Sequence, residues 1–229
     1  MELRDKDLFS IQETRDLIEK AKSAQKIFRS FDQETIDRIV AAVAGAALDH
    51  SVELAKLAHE ETGFGKWEDK VIKNTFAAVR LHDAIKDMKT IGIISEDAAN
   101  KILSVAVPVG IVAALIPSTN PTSTAIYKAL ICLKSGNAVI FSPHPKAIKC
   151  ILETVRVVND AAVKAGAPEC LISCIKTPTK EATDELMAHK ETGLILATGG
   201  TAMVKAAYSS GTPALGVGPG NTPAFIERS

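Results

Sequence analysis

The chain has 229 residues, 46% hydrophobic and 24% charged, with 27 basic side chains against 27 acidic ones. Balanced charge leaves no footprint for nucleic acid or an anionic membrane, and 4% aromatic residues argues against a base-stacking surface. The four cysteines form no CxxC pair and lie in apolar segments, the charged start MELRDKDLF has no apolar signal core, and no apolar run approaches the ~20 residues of a membrane helix, so the expected compartment is the cytosol.

The first ninety residues carry helical periodicity. Ile11, Leu17, Ile18, Ala21, Ala24 and Phe28 share one face of a helix that Ser10 is placed to cap. Asp32 is the candidate cap of a second helix, with Ile36, Ile39, Val40, Val43 and Ala47 facing inward. Ser51 is the candidate cap of a third, which carries Leu54, Leu57 and Ala58 and ends at Thr62-Gly63. A fourth is predicted from Trp67 to Met88, with Ile72, Phe76, Val79 and Ile85 as its apolar positions. The charged residues between these stripes read as a solvated face. No chemistry is legible here: His59-Glu60-Glu61 lacks the second histidine of a zinc helix, and no metal site is assigned.

From Lys101 the texture changes. A β-forming run, Lys101 to Val107, precedes the turn Pro108-Val109-Gly110. Strands are then predicted at 111–116, 137–141, 171–175 and 193–197, alternating with helices near 122–134, 146–165, 179–190 and 200–209. This alternation predicts an α/β fold, a doubly wound and mainly parallel sheet preceded by a helical part. Residues 1–100 are read as the amino-terminal helices, 101–110 as a separate strand and 111–229 as a nucleotide-binding domain. Gly211 to Ser229 is expected as a loop entering a short strand at Pro223 to Ile226. With no closing helix after it, the chain reads as a truncated α/β unit.

Ligands of open parallel sheets bind at the carboxyl ends of the strands, and four stretches fall there. Pro117-Ser118-Thr119-Asn120-Pro121 holds a carboxamide between prolines: a fixed donor for a developing oxyanion, or a plain helix cap. Ser142-Pro143-His144-Pro145 offers polar groups to a ribose or phosphate, or is an ordinary surface loop. Thr198-Gly199-Gly200-Thr201 opens a helix where free N–H groups can meet a phosphate, or is a simple tight turn. Gly216-Val217-Gly218-Pro219-Gly220 is backbone passing close to a neighbour, or a flexible loop. No G-x-G-x-x-G fingerprint is present. Cys132, Cys150, Cys170 and Cys174 have no His or Asp partner in sequence and fit small core residues.

As an ordered set these pieces resemble the aldehyde dehydrogenase superfamily. Pro108-Val-Gly-Ile-Val, Ile116-Pro117, Asn120-Pro121 and Gly136-Asn137-Ala-Val-Ile look like the motif around its oxyanion asparagine. Ala197-Thr198-Gly199-Gly200 resembles its turn at the cofactor pyrophosphate, and Gly218 to Pro223 stands where the family has Glu-Leu-Gly-Gly-Lys-Ser-Pro. Two departures matter: Ser142 stands where most members have a ribose-holding lysine, and Val217 where they have the glutamate that activates water. With Ile116-Pro-Ser-Thr-Asn-Pro-Thr and Phe141-Ser-Pro-His-Pro, they resemble the CoA-acylating branch, the acetaldehyde and propionaldehyde dehydrogenases.

The resemblance implies NAD or NADP as cofactor, coenzyme A as co-substrate and a small aldehyde as substrate. It implies Asn120 as the catalytic residue of this stretch and cofactor contacts at Ile116, Pro117, Ser142, Pro143, His144, Thr177, Pro178, Thr198, Gly199 and Gly200. None of the four cysteines matches the family nucleophile, so the chain alone is expected to be inactive. A homo-oligomer is implied, joined through the Lys101–Val107 strand with a partner strand near the family's carboxyl terminus. Residence in a bacterial microcompartment, against its shell, stays open, since no encapsulation helix separates from the first helix. A non-catalytic nucleotide- or CoA-binding module and a glutamyl-phosphate reductase are the alternatives.

Overall fold

The computed structural model describes residues 5–220 and 223–227. Its elements are α1 (Lys6–Phe28), α2 (Gln33–Asp49), α3 (Ser51–Thr62), α4 (Trp67–Thr75), a π-helical turn (Phe76–Arg80), α5 (Leu81–Ile85), β1 (Gly92–Asp97), β2 (Ile102–Ala106), β3 (Ile111–Ile116), α6 (Pro121–Lys134), β4 (Ala138–Pro143), α7 (Ile148–Lys164), β5 (Ile172–Cys174), α8 (Lys180–Ala188), β6 (Thr192–Thr198), α9 (Thr201–Tyr208) and β7 (Ala214–Val217). The mixed α/β class with a parallel sheet is the one expected. Among the described residues no helix is long and apolar enough to cross a membrane.

The helix caps show what a linear pattern can miss. Asp32 caps α2 as expected, accepting from Thr35 N, and Gly63 ends α3 in the left-handed conformation at φ 68°. Ser10, however, does not cap α1. The helix begins a turn earlier at Asp5, whose side chain accepts from Asp7 N and Leu8 N. Ser10 is instead buried, with its hydroxyl bonded to Asp7 O and Thr179 Oγ1. Ser51 likewise starts α3 without a side-chain cap bond, and its carbonyl accepts from Asn74 Nδ2. The predicted Trp67–Met88 helix is broken by the π-helical turn. The first half of its apolar stripe is misplaced: Ile72 and Phe76 are 68% and 64% exposed, while Lys70, Asn74, Ala77 and Ala78 face the core; Val79 and Ile85, further along, are half-buried as expected.

The five-stranded sheet has the order β5-β4-β3-β6-β7, and every pairing in it is parallel. β3 and β4 are buried along their whole length. The chain winds outward from β3 through α6 to β4 and through α7 to β5. It then returns through α8 to β6 on the other side of β3. Right-handed crossovers therefore place α6 and α7 on one face and α8 and α9 on the other. α2, α3 and α4 back the first layer, and α1 packs beside α8 against the second. Asn137 ties the entry of the two central strands, its Oδ1 accepting from Gly110 N at 3.0 Å and its Nδ2 donating to Ser135 Oγ.

One strand expectation needs correction. The final strand is Ala214–Val217, and 223–227 form no strand. β7 is recruited earlier because only there can it pair with β6, from Ile195↔Ala214 to Thr198↔Val217. Gly216 serves that pairing: a Cβ on it would lie 2.6 Å from Val204 and 2.8 Å from Tyr208, so its bareness lets α9 settle on the strand. The Lys101–Val107 run forms β2, which pairs with the preceding β1 in an antiparallel hairpin. Both strands expose apolar side chains, among them Ile93, Ile94, Ile102, Leu103 and Val105.

Lys128 is the unusual core residue. It lies within α6, is 1% exposed, and its Nζ donates to Leu115 O at 2.8 Å and Leu196 O at 2.7 Å. One ammonium thus bridges β3 and β6, the strands whose outgoing chains part. Burial pushes its pKa down to about 7, against a smaller opposing effect of Cys132. An unfolded lysine ionises near ~10.4. Between those values the unfolded chain holds more protons, so stability contributed by this group rises as pH rises from about 7 to 10 and is lowest below 7. Urea unfolding at several pH values is expected to show this slope, up to ~1.4 kcal/mol per pH unit. Lys128→Met is expected to flatten it. At the other end of β6, a Cβ on Gly193 would lie 2.1 Å from Val109 O. Gly193→Ala is expected to lower the urea midpoint by an amount worth about 1–3 kcal/mol, whereas Gly218→Ala, with open space around it, leaves the midpoint unchanged.

Candidate functional site

The five strands end on one edge at Ile116, Pro143, Cys174, Thr198 and Val217. The sheet order reverses between β3 and β6, so the turns after these two strands flank a crevice that no crossover covers. Ile116, Pro117 and Asn120 stand on one side of it, and Thr198, Gly199 and Gly200 on the other. Ser142, Pro143 and His144 follow β4, and Thr177 and Pro178 follow β5, extending the edge away from the crevice.

Asn120 occupies the position before α6, but its side chain makes no cap bond. The capping alternative therefore does not describe what the carboxamide does. Its Oδ1 accepts from Lys73 Nζ at 2.8 Å, and its Nδ2 makes no protein hydrogen bond among the described residues. The turn is held from α4. Lys70 Nζ donates to Thr119 O at 2.9 Å, and the buried Asn74 accepts from Thr122 Oγ1 at 2.8 Å while donating to Ser51 O. Burial lowers the Lys70 pKa, with the neighbouring Lys73 adding to the effect.

Across the crevice, Thr198 Oγ1 lies 3.1 Å from Tyr127 Oη, and Gly199 N donates to Val217 O at 3.2 Å. Burial, the largest effect, raises the Tyr127 pKa, so its phenol is a neutral hydrogen-bonding group. Gly200 precedes α9 with no side-chain cap and with open space where a Cβ would stand. The first N–H groups of α9 consequently face outward, and the helix dipole favours an anion there.

The flanking turns are built differently. Ser142 is part of β4 rather than of a loop. It is 5% exposed and its hydroxyl shares a 2.8 Å hydrogen bond with Thr183 of α8. His144 is exposed, and its Nδ1 accepts from Lys146 N at 3.1 Å, which leaves the ring proton on Nε2. Partial burial, and to a lesser degree Lys146, lower its pKa, so the neutral ring dominates near pH 7. The Thr177-Pro178 turn is fixed by Glu13 of α1, whose two carboxylate oxygens accept from Lys176 N and Thr177 N. Burial raises the Cys132 thiol to about 12, and it raises Cys150 and Cys174 further still. These three are inert core thiols, as their apolar surroundings predict. Among the described residues no cluster of three metal-binding side chains exists.

Sequence reading missed Lys70, Lys73, Asn74, Glu13, Tyr127, Lys128 and Thr183. One signal was available. Lys70 and Asn74, four residues apart, share a helix face, and placing them inward turns Ile72 and Phe76 outward and sets Lys73 at the exposed rim. The apolar-stripe rule chose the opposite face because it gives polar side chains no weight as core residues.

Residues 8–217 match the aldehyde dehydrogenase family. The bifunctional aldehyde-alcohol dehydrogenase of Escherichia coli K12 is 50% identical over 220 residues, which are 96% of this chain and 25% of that protein. A probable aldehyde dehydrogenase from Listeria monocytogenes superposes with a TM-score of 0.96 at 63% identity, covering 99% of this chain and 50% of its own. An acetylating aldehyde dehydrogenase from Geobacillus thermoglucosidasius gives 0.95 at 59% identity, covering 96% and 49%. The chain thus spans about a quarter of the first relative and half of the two solved structures. A family match over nearly all the described residues, on a sheet edge carrying an oriented carboxamide and an open helix N-terminus, makes this chain a member of the aldehyde dehydrogenase family.

Proposed function

We propose that this chain is the cofactor-binding part of a CoA-acylating aldehyde dehydrogenase, which oxidises a small aldehyde with NAD(P)+ and passes the acyl group to coenzyme A. The observation that carries the reading is Asn120. Its carboxamide oxygen is held by Lys73 and its donor end is left unbonded beside the crevice. The acetylating relative supports the choice of acceptor. So does a Rhodopseudomonas palustris propionaldehyde dehydrogenase, 32% identical, solved with bound CoA and an acylated cysteine. An engineered glycolyl-CoA reductase, 33% identical, was solved with NADP+. Val217, where a hydrolytic base would be expected, is an exposed apolar residue.

The residues present fit such a cofactor. The uncapped α9, with the bare Gly200 at its start, suits a pyrophosphate. Thr198, Gly199 and Gly200 are assigned to it. Ile116, Pro117, Pro143, His144, Thr177 and Pro178 are assigned to the nucleoside end. Ser142 is assigned there through its main chain, since its hydroxyl is committed to Thr183. When bound, NAD(P)+ accepts hydride and CoA accepts the acyl group. Asn120 Nδ2 donates to the aldehyde oxygen as that atom gains negative charge, an effect worth about 3–4 kcal/mol in comparable sites. The reaction also needs a thiolate, which the buried Cys132, Cys150 and Cys174 do not provide. The exposed β1–β2 hairpin is assigned to contact between copies of the chain, its apolar residues being covered there.

Two measurements test this reading. Gly200→Asp places a side-chain acceptor at the start of α9, so the melting temperature is expected to hold or rise. The same carboxylate repels a phosphate, so calorimetric affinity for NAD(P)+ or CoA is expected to fall at least about tenfold. An unchanged affinity removes the β6–α9 turn from the site. In the protein form that turns over aldehyde, CoA and NAD(P)+, Asn120→Ala is expected to lower kcat by roughly 10²–10³-fold with cofactor affinity kept. An unchanged kcat removes Asn120 from the chemistry.

A further inference from the structure

We infer that Lys73 is the positioning residue of this site: it fixes the Asn120 carboxamide with its N–H groups turned to the crevice and strengthens them as donors. The inference rests on the reading of Asn120 as the oxyanion donor.

The chemistry of the contact decides the orientation. An ammonium donates and cannot accept, so the atom 2.8 Å from Lys73 Nζ is the amide oxygen, and the NH2 group takes the opposite side. Without that partner the two ends of the half-buried amide are nearly equal in size and can exchange by rotation. A bare asparagine would present its oxygen to a developing oxyanion for part of the time. A hydrogen bond from a cation to the amide oxygen also draws electron density from the nitrogen, which makes N–H a better donor.

The ammonium is itself placed. Lys70 and Asn74, on the same face of α4, are 5% and 0% exposed. Lys70 holds Thr119 O, one residue before Asn120, and Asn74 holds Thr122 Oγ1, two residues after it. α4 is therefore clamped to the turn on both sides of Asn120, and Lys73 lies between the clamps. Lys70 and Asn74 act on the backbone and on a helix hydroxyl. Lys73 alone of the three reaches the Asn120 side chain.

The test has two independent arms. In the 15N-labelled 229-residue chain, the Asn120 side-chain amide is identified by its loss in Asn120→Asp. It is expected at a dispersed position in the wild type and in Lys73→Arg. In Lys73→Met it moves to the position of a free carboxamide, with the backbone resonances of α4 and α6 retained. An Asn120 amide that does not move in Lys73→Met overturns the inference.

The second arm is kinetic, in the form that turns over aldehyde, CoA and NAD(P)+. Lys73→Met is expected to lower kcat about tenfold, a part of the roughly 10²–10³-fold loss that follows removal of a whole oxyanion donor. KM for NAD(P)+ stays the same, Lys73→Arg restores most of the rate, and Lys73→Met adds nothing to Asn120→Ala. Additive losses in the double variant overturn the inference. Absence of turnover in every wild-type form counts against the proposed function, and the amide resonance then decides the inference by itself.

Discussion

β3 and β6 are hydrogen-bonded neighbours whose outgoing chains leave for opposite faces of the sheet, and the rest of the molecule depends on keeping their ends together. The parting opens a crevice that no crossover helix can cover. Lys128 bridges this gap with two hydrogen bonds, one to each strand. Its burial costs part of its basicity, which is the physical reason its pKa falls towards neutrality.

A second pattern surrounds the edge. The amino-terminal helices fasten the loops with ionisable side chains rather than with apolar contacts alone. Glu13 of α1 binds two N–H groups after β5, and Glu61 of α3 binds Lys149 N and Cys150 N at the start of α7. The two α4 lysines hold Thr119 and Asn120. Loops at a strand end have no ladder to satisfy their backbone, and α7 has no side-chain cap of its own. A side chain reaching across from another helix supplies what the local sequence lacks. The stretch that carries no recognisable chemistry in sequence is thus the support of the site.

Much of the sheet was legible from residues. The apolar runs placed the three inner strands and the β5 edge strand within a residue or two, because strands packed under helices on both faces read as continuous apolar segments. The β7 strand was missed. It is short, partly exposed and broken by Gly216, whose lack of a side chain serves α9 rather than a turn. Ser10 and Ser51 were misread as caps because a serine before an apolar stripe looks the same whether its hydroxyl meets its own helix or another.

The sequence by itself determined the α/β alternation and the turn residues at the strand ends, since spacing and composition encode local conformation, while the choice of Asn120, Thr198, Gly199 and Gly200 among those turns came from the family resemblance. Only the tertiary structure decided what those groups face. It turned Ser142 into the packing against Thr183, set Gly200 in open space, and brought Lys73 to Asn120 across 47 positions of sequence. Such pairings depend on how helices stack on a sheet, and stacking is fixed by side-chain volumes summed over the whole core, which no local window contains.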